Sequence, residues 1–394
     1  MRLSSRLALG LALSLAVCLS SGAAPFVPGS DQQVLERLPA RAADPRARDM
    51  ARLRQQLAAS PRDIDLAVQL ARRYFEEVAA EGDPRYIGYA QAALAPWWAH
   101  PQAPVEVRVV RAVLRQFSHE FEVAVADLQS AVQEAPDNAE AWAWLAAIAM
   151  VQARYADART ACGRLQALSP GLIGPACLAQ VDAATGQAGP AAASLRHGLE
   201  RNPGASSAEQ LWVLTRLAET EERLGNHAAA EQAFRRALAL DLTDGYLLAA
   251  YADFLLDANR PAEVLTLLRG KERSDLLLLR LAIAAKAAGA PEAAAWRADL
   301  TARFDAARLR GDTVHQKEEA RFALAVLGDA RRALPLASQN FAVQREPADA
   351  RVLFEAALAA RQPAAAEPAL KWLDSSGLES ITLRALARQL KAGS

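Results

Sequence analysis

The chain has 394 residues, with 45 basic and 45 acidic side chains and therefore no formal net charge. Hydrophobic residues make up 52% and charged residues 23%, which excludes a disordered chain of low hydrophobicity and high net charge. The neutral balance also excludes a strongly basic, dedicated nucleic-acid-binding protein. Three cysteines are too few for a disulfide-rich scaffold. The length predicts about two or three ordinary domains or one long repeat array.

Residues 1–23 have the layout of a secretory signal peptide. Arg2 and Arg6 give a positive start, residues 7–19 are mostly apolar, and small residues at 21–23 precede a cleavage point. The apolar run is shorter than the roughly 20 residues that a bilayer-spanning helix needs. We therefore expect a periplasmic or secreted mature chain without a transmembrane segment, and the few lysines beside many arginines and alanines suggest a bacterial genome.

Cys18 offers an alternative form of export. The segment Leu15-Ala16-Val17-Cys18 resembles a bacterial lipoprotein box, although Val17 departs from the small residue that normally precedes the cysteine. Lipidation of Cys18 would make the protein an outer-membrane lipoprotein. In either case, residues 24–45 contain several prolines and are expected to form an extended N-terminal arm.

Residues 139–170 contain two helical patterns joined by a short turn. Apolar residues recur at helical spacing on one face of each pattern, at Trp142, Leu145, Ala146 and Ala149 in the first and at Tyr155, Ala158, Cys162 and Leu165 in the second. The second pattern ends at Pro170. Prolines stand in the same register at Pro136, which is 34 residues earlier, and at Pro203, which is 33 residues later. This spacing predicts a repeated helical pair.

The repeat resembles the tetratricopeptide repeat (TPR) family. The family pattern is matched by Trp142, Leu145, Ala146, Tyr155, Ala158 and Pro170. Residues 211–242 also match it, with Leu242 in place of the terminal proline. Residues 105–136 match more loosely, and residues 172–203 and 245–269 supply further pattern residues. The resemblance implies an all-α fold, a TPR-like α-solenoid that forms a right-handed superhelix of antiparallel helix pairs. In such an array neighbouring pairs stack, because no pair can bury its apolar face alone.

The domain organisation follows from this repeat. We predict degenerate helical repeats over residues 46–104, core TPR repeats over 105–269, degenerate repeats over 270–376, and a capping helix over 377–394. Turns within the C-terminal pairs are predicted at Gly289-Ala290-Pro291, Gly328-Asp329 and Gln362-Pro363. No segment has a strand period long enough to indicate a sheet.

Common catalytic patterns are missing from the sequence. No histidine lies within four residues of another, so no local histidine pair is present to bind a metal. The glycine-rich phosphate loops and the GxSxG nucleophile motif are also missing. The acidic pairs Glu221-Glu222 and Glu318-Glu319 fall in helical stretches, and we expect them on solvated faces. We predict no enzyme activity, no metal and no cofactor; an enzyme site built across distant repeats is the least favoured alternative.

Cys162 and Cys177 are candidates for a disulfide. The repeat register places Cys162 on the second helix of one repeat and Cys177 on the first helix of the next, and these helices should touch. Export would place both thiols in an oxidising compartment. The alternative is a pair of small buried apolar side chains, because free cysteine packs well in protein cores.

The resemblance also implies a binding surface, because the first helices of TPR repeats line a concave groove. The groove candidates are Gln116, Glu140, Trp144, Ala147, Gln180, Trp212, Glu219, Glu222 and Asp253. Trp144 and Trp212 are not repeat-defining positions, and each either anchors a partner or packs between neighbouring helices. The groove is apolar and mildly acidic, which suits an apolar or basic peptide.

The implied function is binding of a protein or peptide partner, as a scaffold or assembly factor in the bacterial envelope, with no nucleic acid. The alternative is an outer-membrane lipoprotein with lipidated Cys18 that acts in envelope biogenesis. Three occupants of the groove stay open at this point. They are an extended peptide, a helix, and the chain's own arm at residues 24–45.

Overall fold

Helices form most of the computed structural model, which describes residues 45–83 and 85–393. Over these residues there is no strand, and the predicted all-α TPR-like solenoid is confirmed. The chain divides into the units Met1–Asp49 and Met50–Ser394. Of the first unit only residues 45–49 are described, as the beginning of the first helix. The predicted signal peptide with Cys18 and the arm as far as residue 44 lie outside the described residues, and the features below belong to the second unit.

The described helices are numbered in chain order. They are α1 Pro45–Ala59, α2 Ile64–Glu81, α3 Arg85–Ala93, α4 Ala95–Trp98, α5 Val105–Phe117, α6 Phe121–Glu134, α7 Ala139–Val151, α8 Tyr155–Leu168, α9 Ile173–Ala184, α10 Ala188–Arg201, α11 Ser207–Leu224, α12 His227–Leu238, α13 Gly245–Asp257, α14 Pro261–Leu267, α15 Asp275–Ala288, α16 Ala293–Leu309, α17 Gln316–Arg321, α18 Ala330–Val343, α19 Pro347–Ala359, α20 Glu367–Ser376 and α21 Ile381–Ala392. A π-helical turn, Phe322–Leu327, continues α17, and a 3-10 turn, Pro363–Ala366, precedes α20. The division into core and degenerate repeats stays a prediction.

Side-chain caps and left-handed glycines set the ends of several helices. The Asp63 carboxylate accepts a hydrogen bond from the Leu66 N–H at 3.0 Å and so caps the start of α2. Ser206 and Glu209 form a reciprocal capping box at the start of α11. The same helix ends at Gly225, whose φ of +85° is a conformation that favours glycine. The chain therefore encodes these boundaries locally.

Small side chains allow the helices of one repeat to approach closely. Ala146 of α7 and Ala158 of α8 are both buried in one apolar cluster with Cys162 and Cys177. The structure joins Cys162 of α8 to Cys177 of α9 as a disulfide, with Cα atoms 5.4 Å apart. This bond links the second helix of one pair to the first helix of the next.

A buried arginine ties the N-terminal repeats together. Arg111 of α5 donates from Nε and Nη2 to the carboxylate of Asp127 in α6, at 2.8 and 2.6 Å. Its Nη1 donates to the backbone carbonyls of Trp97, Trp98 and His100 at 2.8–3.0 Å. These bonds satisfy a charge that would be costly to bury alone, and they hold the turn after α4 against α5.

The C-terminal helices return to the middle of the solenoid. The Arg345 backbone N–H, between α18 and α19, donates to the Val151 carbonyl at the end of α7, at 2.8 Å. The indole N–H of Trp372 in α20 donates to the Tyr155 hydroxyl in α8, at 3.1 Å. The Glu379 carboxylate accepts from the Ala188 N–H at the start of α10, at 2.6 Å. These contacts bring α18–α21 against the repeats formed by α7–α11.

Candidate functional site

The first part of the predicted groove is covered by α2. Arg72 of α2 donates two hydrogen bonds to the Glu140 carboxylate, at 2.6 and 2.7 Å. The Phe75 ring meets the Trp144 ring edge to face, with centroids 6.1 Å apart. Ala147, farther along α7, is exposed. Glu140 and Trp144 therefore already have partners within the chain.

Three other candidates lie at half-buried positions. Gln116 is near the end of α5 and Gln180 is in α9. Trp212 in α11 packs against the largest apolar cluster of the protein. Trp144 and Trp212 each pack against an apolar cluster, and their role as anchors for a partner stays a prediction.

Asp253 lies between two guanidinium groups from different parts of the chain. Arg280 of α15 and Arg321 of α17 each approach its carboxylate to 2.7 Å. Burial alone would raise the pKa of Asp253, but the two positive charges more than offset this effect and hold the pKa below its usual range. The Arg321 contact attaches the start of the C-terminal helices to α13.

A second ion pair repeats this attachment farther along. Arg351 of α19 donates to the Asp257 carboxylate at the end of α13, with Nη2 and Oδ1 2.7 Å apart. The Arg321–Asp253 contact joins residues that are 68 positions apart in the sequence, and the Arg351–Asp257 contact joins residues that are 94 positions apart. The predicted groove thus holds the chain's own helices α17 and α19, which face Asp253 and Asp257.

Glu222 lies within this contact region and has an unusual protonation state. Burial, followed by the neighbouring carboxylates of Asp257, Glu219 and Asp253, raises the pKa of Glu222 to about 8, while Arg351 opposes the shift. Glu222 is therefore mostly protonated at pH 7. The raised pKa reduces the negative charge that Glu222 brings to the groove.

The expectation that the acidic pairs lie on solvated faces was wrong. Glu221 is 2% exposed and accepts hydrogen bonds from Arg196 and, at 2.7 Å, from Asn226. Glu319 is 5% exposed and accepts from Arg332 at 2.7 Å. Arginines on neighbouring helices neutralise these carboxylates, which is what permits their burial.

Tyr246 makes two contacts with side chains of α11. Its hydroxyl donates to the Glu219 carboxylate at 2.5 Å, and the Arg216 guanidinium lies 4.5 Å from its ring centroid. Burial by the surrounding protein raises the pKa of Tyr246 although Arg216 opposes this. Yet 48% of the residue is accessible to solvent. The ring is therefore held beside α11 while part of the residue stays exposed.

A separate pocket is open at the junction of α8, α18 and α20. Its volume is about 590 Å³, within the range of about 300–1,000 Å³ that is typical of ligand sites. It is lined by Ala153, Tyr155, Ser338, Phe341, Ala342, Arg345, Leu353, Pro368, Lys371, Trp372, Ser375 and Ser376. We call it the junction pocket. Sequence analysis identified Tyr155 only as a repeat position and missed the pocket, because Tyr155 and Trp372 are 217 residues apart.

The junction pocket has an aromatic floor and a cationic rim. Phe341 and Trp372 are buried and meet edge to face, with ring centroids 5.8 Å apart. Arg345 and Lys371 are exposed at the rim. None of the lining residues carries a carboxylate. The pocket can therefore hold an apolar group and an anion side by side.

The comparisons with known proteins agree with the helical repeat. Residues 118–171, which contain α6, α7 and α8, match the family model "Tetratricopeptide repeat". Members of this family serve in protein–protein interaction and are generally non-catalytic scaffolds. No curated protein matches the chain.

Two solved structures resemble the chain weakly. The crystal structure of yeast Tom70 has 11% sequence identity and a TM-score of 0.41, covering 88% of this chain and 84% of that chain. The crystal structure of the P58(IPK) TPR domain has 14% identity and a TM-score of 0.21, covering 82% of this chain and 95% of that chain. At such scores neither structure is a guide to this protein's partner.

Across residues 45–83 and 85–393, no cluster of three or more histidine, cysteine or acidic side chains is placed to hold a metal ion. No helix in that part of the chain combines the length and the apolar character that a membrane crossing needs.

Proposed function

We propose that this protein is an exported TPR scaffold that binds another protein in the bacterial envelope and that the partner docks at the junction pocket. The observation that carries this proposal is the contrast between two concave surfaces. The groove expected from the repeat is held by the chain's own α17 and α19, whereas the junction pocket is open and lined by exposed rim residues.

Opening the groove would cost several contacts at once. A partner would have to displace the pairs Arg321–Asp253 and Arg351–Asp257. Asp253 would then keep only Arg280, and Asp257 would lose the cation that pairs with it. The junction pocket requires no such rearrangement. Preformed sites of this kind are the usual place for a ligand to bind.

Two observations support export. Residues 1–23 have the signal-peptide layout. Cys162 and Cys177 are joined as a disulfide, and disulfides persist mainly in oxidising compartments such as the periplasm. The lipoprotein alternative is supported by Cys18 and its flanking residues, and it would attach the same scaffold to the outer membrane.

Site-specific photo-crosslinking in the native host tests the binding proposal. A benzoylphenylalanine at Ser338, inside the junction pocket, should form an adduct with one envelope protein after illumination. The same label at Arg331, an exposed residue of α18 outside the pocket, is the matched control. Absence of a protein adduct at Ser338, or the same set of adducts at both positions, would contradict docking at the pocket.

Mass spectrometry of the mature N-terminus tests export separately. Export with ordinary cleavage predicts a chain that begins at Ala24, recovered from the periplasmic or extracellular fraction. A lipid-modified chain that begins at Cys18 would favour the lipoprotein alternative. An intact Met1 terminus in the cytoplasmic fraction would refute both.

A further inference from the structure

Several side chains of the junction pocket have hydrogen-bond donors that are free to bind an acceptor. The Tyr155 hydroxyl accepts from the Trp372 indole at 3.1 Å, so its own hydrogen is available to another acceptor. The Ser338 hydroxyl has no partner among the described residues. Neither does the Arg345 guanidinium within that part of the chain, and this group carries five N–H donors.

The cations at the rim reinforce this preference. The Arg345 backbone N–H donates to the Val151 carbonyl at 2.8 Å, which places the start of this side chain at the pocket edge. Lys371 pairs with Glu367 at 3.2 Å, but both side chains are mostly exposed, and such surface pairs contribute little stability. Lys371 can therefore exchange this partner for another anion at low cost.

The floor of the pocket suits an apolar side chain. Phe341, Leu353 and Trp372 line it and are almost entirely buried, so an apolar side chain placed there would contact an apolar surface. The exposed rim is formed by Ala342, Arg345, Pro368, Lys371 and Ser375. A chain that lies across this rim can place one side chain on the floor and its neighbour beside the cations.

We propose that the junction pocket binds an acidic peptide segment of the partner, in which an aspartate or glutamate stands next to an aromatic or large aliphatic residue. The carboxylate contacts Arg345 and Lys371 and accepts from Ser338 or Tyr155, and the apolar side chain covers Phe341 and Trp372. This proposal rests on the proposed function and names the chemistry of its partner. It reverses the expectation of an apolar or basic ligand, which was derived from the groove.

Fluorescence polarisation with three peptides tests the chemistry directly. The probe is a fluorescein-labelled peptide, Gly-Ser-Asp-Phe-Glu-Leu-Ser-Gly, added to the purified chain. An amide control replaces Asp and Glu with Asn and Gln, and a basic control replaces them with Lys and Arg. We expect the acidic peptide to bind at least about tenfold more tightly than the amide peptide, and its affinity to fall as salt rises from about 0.05 to about 0.5 M.

Two charge-reversal variants near the two ends of α18 distinguish binding at the junction pocket from a nonspecific effect of net charge on peptide binding. Arg345→Glu reverses a rim charge and should weaken binding of the acidic peptide by at least about tenfold, because attraction becomes repulsion over a few ångströms. Arg331→Glu makes the same charge change at the other end of α18, outside the pocket, and should leave the affinity within about twofold. Ala342→Trp should block the pocket without changing charge. Circular dichroism of each variant checks that the fold is retained.

The outcomes separate this inference from the proposed function. Equal affinity for the acidic and amide peptides, or unchanged binding by Arg345→Glu, would overturn the inference. Phenylacetate binding as tightly as the acidic peptide would also overturn it, because the site would then take a small aromatic acid. A protein adduct at Ser338 together with no binding of any acidic peptide would leave the scaffold proposal standing and refute this one alone.

Discussion

Replacing Glu222 with glutamine should stabilise the protein at neutral and alkaline pH. The pKa of Glu222 is about 8 in the folded chain against an ordinary value of 4.5. A carboxyl group whose pKa is raised by folding keeps its proton in the native state. Its favourable contribution is therefore complete below about pH 4.5 and is lost as the pH rises toward about 8. Glutamine mimics the protonated form and has no proton to lose.

The size of the effect follows from the span between the two pKa values. At about 1.4 kcal/mol for each pH unit, the full span from 4.5 to about 8 gives an upper limit of about 5 kcal/mol. Glu222 is half-buried rather than fully buried, and Arg351 lies close enough to attract its ionised form. We therefore expect Glu222→Gln to raise the free energy of unfolding by about 2 kcal/mol at pH 8 and to change it little at pH 4.5.

Urea unfolding followed by circular dichroism at both pH values measures this difference. Glu200→Gln is the matched control, because Glu200 is exposed on α10 and lies 3.9 Å from a similarly exposed histidine. That variant should show no pH-dependent gain. Destabilisation of Glu222→Gln at pH 8, or an equal gain in both variants, would refute the electrostatic account of the groove.

Three further predictions concern the contacts that hold the solenoid together. Arg111→Met should lower the free energy of unfolding by about 3 kcal/mol in urea titrations, because it leaves the Trp98 carbonyl and part of the buried Asp127 carboxylate without donors; a loss below about 1 kcal/mol would contradict this role. A double-mutant cycle of Arg351→Ala and Asp257→Ala should give a coupling of about 0.5–1 kcal/mol that shrinks in high salt, since both side chains are about one-third exposed; zero coupling at low salt would indicate that α19 does not lie on α13 in solution. The combined replacement of Cys162 and Cys177 by alanine should speed hydrogen exchange in α8 and α9 more than in α15 and α16. The reason is that the disulfide closes a loop with a sequence separation of 15 and stabilises the fold by about 3 kcal/mol, through the lower conformational entropy of the unfolded chain. An equal change of exchange rate in all four helices would contradict a local effect.

The fold could be predicted because its determinants are local. The proline spacing around Pro136, Pro170 and Pro203 and the small residues Ala146 and Ala158 specify how each helix packs on its neighbours in sequence. In a repeat array each unit contacts mainly the next one, so a local period defines the architecture. The same register placed Cys162 beside Cys177, which the structure joins.

The state of the groove and the junction pocket could not be predicted in this way. Both depend on how far the superhelix turns before its C-terminal helices come back against the earlier repeats. This total turn is the sum of small rotations between successive repeats, and no single repeat carries a sequence pattern that reports it. Asp253 gives no local sign that Arg321 will reach it, and Tyr155 gives none that Trp372 will donate to its hydroxyl. For the same reason Glu221 was expected in solvent, although Arg196 of α10 covers it.

Hydrogen–deuterium exchange of the whole chain, with and without the protein captured at Ser338, tests most directly where the partner binds. Docking at the junction pocket predicts slower exchange at the start of α8, in the second half of α18 and in α20, with α11 and α13 unchanged. Slower exchange in α11 and α13, together with faster exchange in α17 and α19, would show that the partner displaces the C-terminal helices and occupies the groove. That result would contradict docking at the junction pocket.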